Sequence, residues 1–120
     1  MTCPRKLREH TLQTLFSFSM GGEADPSFLP AAAPRAKEIF ALAEQLDEKI
    51  GNASEAYAIE RIDLLDKNIL RLALFELLEN TLPRQVVISE ALRLARKFST
   101  PEAGSFIHAV LDATLSARTE

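Results

Sequence analysis

Residues 64–80 read LLDKNILRLALFELLEN, and the fold turns on this stretch. Leu64, Leu65, Ile69, Leu70, Leu72, Ala73, Leu74, Phe75, Leu77 and Leu78 spread around the whole helical circumference instead of forming one stripe. A helix with so little polar face is stable in water only when neighbours surround it, so the segment predicts a central helix with others packed about it. Asp63 stands where an N-cap belongs, and Leu82-Pro83 breaks the pattern at the far end. Two charges, Arg71 and Glu76, interrupt the run, and Glu90 is a further acid in an apolar setting. Buried charges are costly unless paired, so Arg71 is expected to pair with Glu90 or Glu76 across the helix packing, a structural role.

Downstream, residues 84–98 predict a second helix, with Val87, Ile88, Ala91, Leu92, Leu94 and Ala95 turned inward. Val86-Val87-Ile88 has strand propensity, but three residues inside a longer helical pattern do not make a strand. Ser99-Thr100-Pro101-Glu102 combines a hydroxyl cap, a proline and an acid at the positive end of the dipole. It predicts the start of a last helix that buries Phe106, Ile107, Val110, Leu111, Thr114 and Leu115.

Upstream, a short helix is expected over 54–62, with Ala56, Ile59 and Tyr57 facing inward. Before it, residues 34–50 read as one helix with Ile39, Leu42, Ala43, Leu46 and Ile50 on a single face, closed by Gly51-Asn52. The first helix spans about 4–20, with Leu7, Thr11, Leu15 and Phe18 at spacings of three and four, and Gly21-Gly22 ends it. The prolines at 26, 30 and 34 make the stretch between these two helices a loop. The pattern as a whole is all-α, about six to seven helices with no sheet.

The 120 residues suit one domain and can bury roughly two-thirds of their unfolded surface, so no metal or disulfide is needed for folding. The single cysteine, Cys3, cannot form an internal disulfide and fits a reducing cytoplasm. Apolar runs are too short to span a membrane, and Glu9, His10 and Gln13 interrupt any signal-peptide core. A net charge of −3 gives no global attraction to nucleic acid, so RNA binding would need local charge clustering.

Enzymatic motifs are missing: there is no GxGxxG, P-loop, HExxH or paired CxxC, and no Ser sits between glycines. One Cys and two His make a structural zinc site improbable, so neither metal nor cofactor is expected. His10 reads as a partly exposed helix residue. His108, between Ile107 and Ala109, reads as a satisfied semi-buried histidine, with lining of a surface groove as the functional alternative. Basic residues cluster at Arg5, Lys6 and Arg8 and again at Arg93, Arg96 and Lys97. The plainer reading is two solvated helix faces. If the fold joins them, they form a patch that holds phosphates, and Phe98 and Phe106 beside it offer rings for unpaired bases.

Four segments together resemble the NusB family. They are the run from Arg61 to Leu77 with its "ILR" and "FEL", Pro83 followed by VVISEA and LARKF, the ending FIHAVLD from Phe106 to Asp112, and the opening RKLRE with LQTLF. The resemblance implies two small packed helical bundles, here 1–52 and 53–120, in one domain without a cofactor. It implies a cytoplasmic transcription antitermination factor that binds boxA-type single-stranded RNA beside the ribosomal protein NusE, inside an antitermination complex on RNA polymerase. Carried over by position, RNA contact falls to Arg5, Lys6, Arg8, Gln13, Phe98, Glu102 and Phe106, and the partner surface to Phe16 and Asp66. Departures are His108-Ala109 in place of Asn-Gly, Ser89 in place of Asn, a thinner basic opening and a shorter stretch before Glu55. The thinner basic opening and the altered Asn-Gly favour the rival reading, a NusB-like protein–protein adaptor or homodimer without RNA binding. The similar N-terminal domain of some RNA cytosine methyltransferases ranks last, because nothing supplies a methyl-donor site.

Overall fold

Six α-helices form among the described residues of the computed structural model, which describes 4–54 and 59–119, with side chains as far as Leu115. They are α1 (Arg5–Ser19), α2 (Ala32–Ala41), α3 (Ala43–Ala53), α4 (Leu64–Glu79), α5 (Arg84–Phe98) and α6 (Ala103–Thr119), with a single 3-10 turn at Ile59–Arg61 and no strand. The expectations placed on Cys3, Ala56 and Tyr57 lie outside the described residues.

α4 is the central helix that its composition demands. Every residue from Asn68 to Leu77 is buried, and α1, α3, α5 and α6 all pack on it. Asn80, in the left-handed conformation at φ 56°, ends it. Asn tolerates that region better than other non-glycine residues. Asp63 occupies the N-cap position, but its side chain makes no capping hydrogen bond.

The single helix expected over 34–50 is two helices, broken at Leu42. The amide of Leu42 donates to the carbonyl of Ile39 instead of reaching one residue further back, and the Leu42 side chain is exposed. The halves serve different neighbours: Ala36 and Ile39 are buried where α2 packs on α1, while Leu46 and Ile50 are buried where α3 meets α4 and α6. One straight helix could not reach both. Pro34 falls in the first turn of α2, where its missing N–H has no intrahelical partner to lose. The stretch before Glu55 thus holds two helices where the sequence read one.

α1 closes as expected at the glycine pair. Gly21 has φ 82° and donates to the carbonyl of Phe18, and Gly22 donates to the carbonyl of Ser17. This is the Schellman arrangement, which a residue with a Cβ would strain at the first position. A Cβ on Gly22 would meet the Ser17 hydroxyl at 2.7 Å.

The buried charges pair differently from the expectation. Arg71 does not reach Glu76 or Glu90. Its Nε and Nη2 donate to the two carboxylate oxygens of Asp47 on α3, at 2.7 and 2.6 Å, and its Nη1 to Asn68 Oδ1 at 2.9 Å. Residues 71 and 76 lie on different sides of α4, so Arg71 ties α4 to α3. Glu76 and Glu90 face α1 instead. α2 is tied to α4 by Arg35, whose guanidinium meets Glu79 at 2.9 Å and lies 5.4 Å from the Phe75 ring centroid.

Candidate nucleic-acid interface

Long side chains link the start of α1 to α5, so the two basic segments do meet through ion pairs. Glu9 joins them, accepting from Arg93 Nη1 at 2.7 Å and from Lys97 Nζ at 2.8 Å. Glu90 joins them again, accepting from Arg93 Nε at 2.9 Å and Arg8 Nη1 at 3.2 Å, with Arg5 Nε at 3.4 Å. An alternating chain of charge therefore runs from Glu76 through Arg8, Glu90, Arg93 and Glu9 to Lys97.

This chain corrects one assignment. Arg8 is buried, and its Nε and Nη2 fork onto Glu76 at 2.8 and 2.6 Å. With Glu76 and Glu90 both engaged, its charge is turned into the fold, and Arg8 is not presented at the surface as the RNA-contact expectation requires. At surface positions the cluster keeps Arg5, which is 72% exposed, and Lys97 at 53%. Lys6 and Arg96 are exposed and form no ion pair among the described residues.

Burial alone would raise the Glu90 carboxyl, but Arg93, Arg8 and Arg5 outweigh it and hold it below the usual 4.5. Glu9 is likewise held below 4.5, first by the hydrogen bond from Lys97 and then by that from Arg93. Burial opposes the charge on Arg93, and Glu9 and Glu90 more than restore it. Glu9, Glu90 and Arg93 thus favour one another's charged forms.

Phe98 and Phe106 are half-buried against the core, neither fully exposed nor sealed. Lys97 Nζ stands 5.5 Å from the centroid of the Phe98 ring, within cation–π range. Gln13 and Glu102 are exposed, and Phe16 is half-buried. Asp66, in the first turn of α4, accepts from the Ser99 hydroxyl at 2.6 Å. Ser99 therefore braces the α5–α6 junction against α4 instead of capping α6.

His10 is better anchored than the sequence suggested: its Nδ1 accepts from the Leu29 amide at 2.9 Å and its ring stacks on Phe28 at 4.2 Å. It pins the loop before α2 to α1. His108 is exposed, not semi-buried, and lies 3.4 Å from Asp112. It lines an open groove between α5 and α6 with Arg84, Ile88, Leu92, Asp112 and Leu115. No group of three or more His, Cys, Asp or Glu is placed to hold a metal, and no helix is long and apolar enough to cross a membrane, among the described residues.

The NusB family profile matches residues 35–116, from α2 into α6. This chain belongs to the NusB family. The transcription antitermination protein NusB of Chlamydia pneumoniae is 35% identical over 123 residues, covering 90% of this chain and 77% of that protein. The NusB protein of Anaeromyxobacter dehalogenans is 34% identical over 126 residues, covering 92% and 89%. T. maritima NusB has the same fold, with a TM-score of 0.77 at 26% identity over 97% of this chain and 93% of its own. The family profile begins at Arg35, after α1, whereas the likeness to T. maritima NusB takes in nearly the whole chain. The NusB family is non-enzymatic, in keeping with the missing catalytic motifs.

Sequence reasoning missed Glu9 and Asp47. Glu9 had a signal, as the one acid in an otherwise basic helix opening, but it reads there as an interruption of positive charge. Asp47 stands on the polar side of α3, and only the packing of α3 on α4 turns it toward Arg71.

Proposed function

We propose that this chain is a cytoplasmic transcription antitermination factor that binds boxA-type single-stranded RNA alongside the ribosomal protein NusE, in an antitermination complex on RNA polymerase. The observation that carries the reading is the meeting of α1 and α5. Arg5 and Lys97 stand at the surface where ion pairs link the two helices, the half-buried Phe98 ring lies beside Lys97, and Lys6 and Arg96 are exposed on the same two helices. A single strand needs this pairing of positive charge for its backbone and a ring for its unstacked bases. In this reading Arg5, Lys6, Arg96 and Lys97 hold phosphates, Phe98 and Phe106 stack, and Gln13 and Glu102 contact base or sugar edges. Asp66 and Phe16 belong to the NusE surface.

One observation favours the second reading, a protein–protein adaptor or homodimer without RNA binding. Glu9, Glu76 and Glu90 neutralise much of the cluster from within. The two readings part in a titration of the protein, with and without NusE, against boxA-like and scrambled RNA at two salt concentrations. Antitermination by RNA binding requires a preference for boxA and an affinity that falls with salt. Lys6→Ala and Arg96→Ala should each make the salt dependence shallower by about 0.7 in log–log slope, the share of one single-strand phosphate. No RNA binding in the presence of NusE selects the adaptor.

A further inference from the structure

Glu9 is the only acid in α1, and it divides its two oxygens between two cations of α5. Oε2 accepts from Arg93 and Oε1 from Lys97, both within 2.8 Å. The carboxylate is 14% exposed while Lys97 is 53% exposed, so an anion arriving from solvent meets the ammonium first and finds its inner partner already in place. Two donors converging on two oxygens of one anion is also how a phosphodiester is gripped. Glu90 holds Arg93 from the buried side together with Arg8, and that part of the network is locked into the core. The link from Glu9 lies at the rim, where a side chain can swing into water.

We propose that Glu9 is an internal stand-in for an RNA phosphate: it occupies Arg93 and Lys97 in the free protein, and a backbone phosphate of the bound strand takes them over. The proposal rests on the RNA-binding reading above. Glu9 then sets specificity as well as affinity. A polyanion that offers only charge must displace a carboxylate that is already well paired and gains little. A strand that also reaches Lys6 and Arg96 and lays a base on Phe98 gains enough to complete the exchange. In the absence of RNA, the same contact keeps α5 cations from attracting anions indiscriminately.

The test uses the full chain and a boxA-type single-stranded RNA oligonucleotide with Glu9→Gln and Glu9→Asp. Gln removes the charge. Asp keeps the charge but is one methylene shorter, so it withdraws from the two cations without altering net charge. Both variants should bind RNA roughly two- to fivefold more tightly than the parent, the worth of one released surface pair. Lys97→Ala should cost more affinity in the Glu9→Gln background than in the parent, because only there is the ammonium free. Tightening by Gln but not by Asp would reduce the effect to net charge and overturn the proposal, as would unchanged or weaker binding by both. If the parent binds no RNA with or without NusE, the functional reading falls and this proposal with it. Should either variant fold poorly by circular dichroism, the parent protein still decides: adding RNA must shift the Arg93 Nε and Lys97 Nζ resonances, and unmoved resonances in an RNA-bound protein reject the exchange.

Discussion

Arg8 of α1 forks onto Glu76 of α4, Nε to Oε2 at 2.8 Å and Nη2 to Oε1 at 2.6 Å, with both side chains at least 96% buried. The pair lies 68 residues apart in sequence and clamps the first helix to the central one. Its Nη1 continues to Glu90, so one guanidinium joins three helices. A carboxylate as buried as Glu76 is tolerable only because that fork satisfies both of its oxygens.

Arg8→Ala should therefore destabilise the fold by about 3–5 kcal/mol, since it leaves Glu76 buried without its counter-charge. The double variant Arg8→Met with Glu76→Gln should recover much of the loss, because no unpaired charge remains. Urea denaturation of the three proteins checks both statements. An Arg8→Ala protein as stable as the parent would mean that the pair carries no such weight.

Arg71 and Asp47 should respond unequally. Arg71→Ala removes four hydrogen bonds and leaves buried Asn68 Oδ1 with only the 3.4 Å contact from the Ser19 hydroxyl, at a cost of about 1–3 kcal/mol. Asp47 is partly exposed, so in that variant water takes over its carboxylate. Arg71→Lys should restore little, because an ammonium cannot supply the two parallel donors of the fork. Melting temperatures of the two Arg71 variants should fall together.

Stability should drain at acid pH through Glu9 and Glu90. Both are held below 4.5 in the folded protein, so the folded state binds fewer protons on them than the unfolded chain does. The stability they lend is complete above about 4.5 and is lost as pH falls through the lowered folded values. Glu9→Gln and Glu90→Gln should each flatten the decline of melting temperature below about pH 4.5 relative to the parent. An equally steep acid limb in both variants would show that other carboxylates govern it.

Ser99→Ala should cost about 0.5–1.5 kcal/mol, the worth of one ordinary hydrogen bond, through loss of the contact to Asp66. The helix end itself should persist, since the Ser99 amide still donates to the carbonyl of Ala95. Hydrogen exchange should show faster opening at the α5–α6 junction with α4 unchanged.

Much of the fold was legible along the chain because helical periodicity, glycines and prolines act locally. α4 announced itself by being apolar all round, α5 matched its expected span, and Gly21-Gly22 closed α1 as expected. The break at Leu42 was not legible, because residues 34–50 keep one continuous helical pattern and nothing local forbids a straight helix. Two different packing partners impose it.

The candidate interface divides in the same way. The sequence by itself determined that basic residues crowd the start of α1 and the end of α5, since composition and spacing need no third dimension. Only the tertiary structure decided which of those charges remain available. Arg8 and Arg93 meet Glu76, Glu90 and Glu9 across helix packing, and Arg71 meets Asp47 in place of the acids nearer to it along the pattern. Charge falls off with distance in space and not along the chain, so the partner of a buried ion is fixed by which helix faces come together.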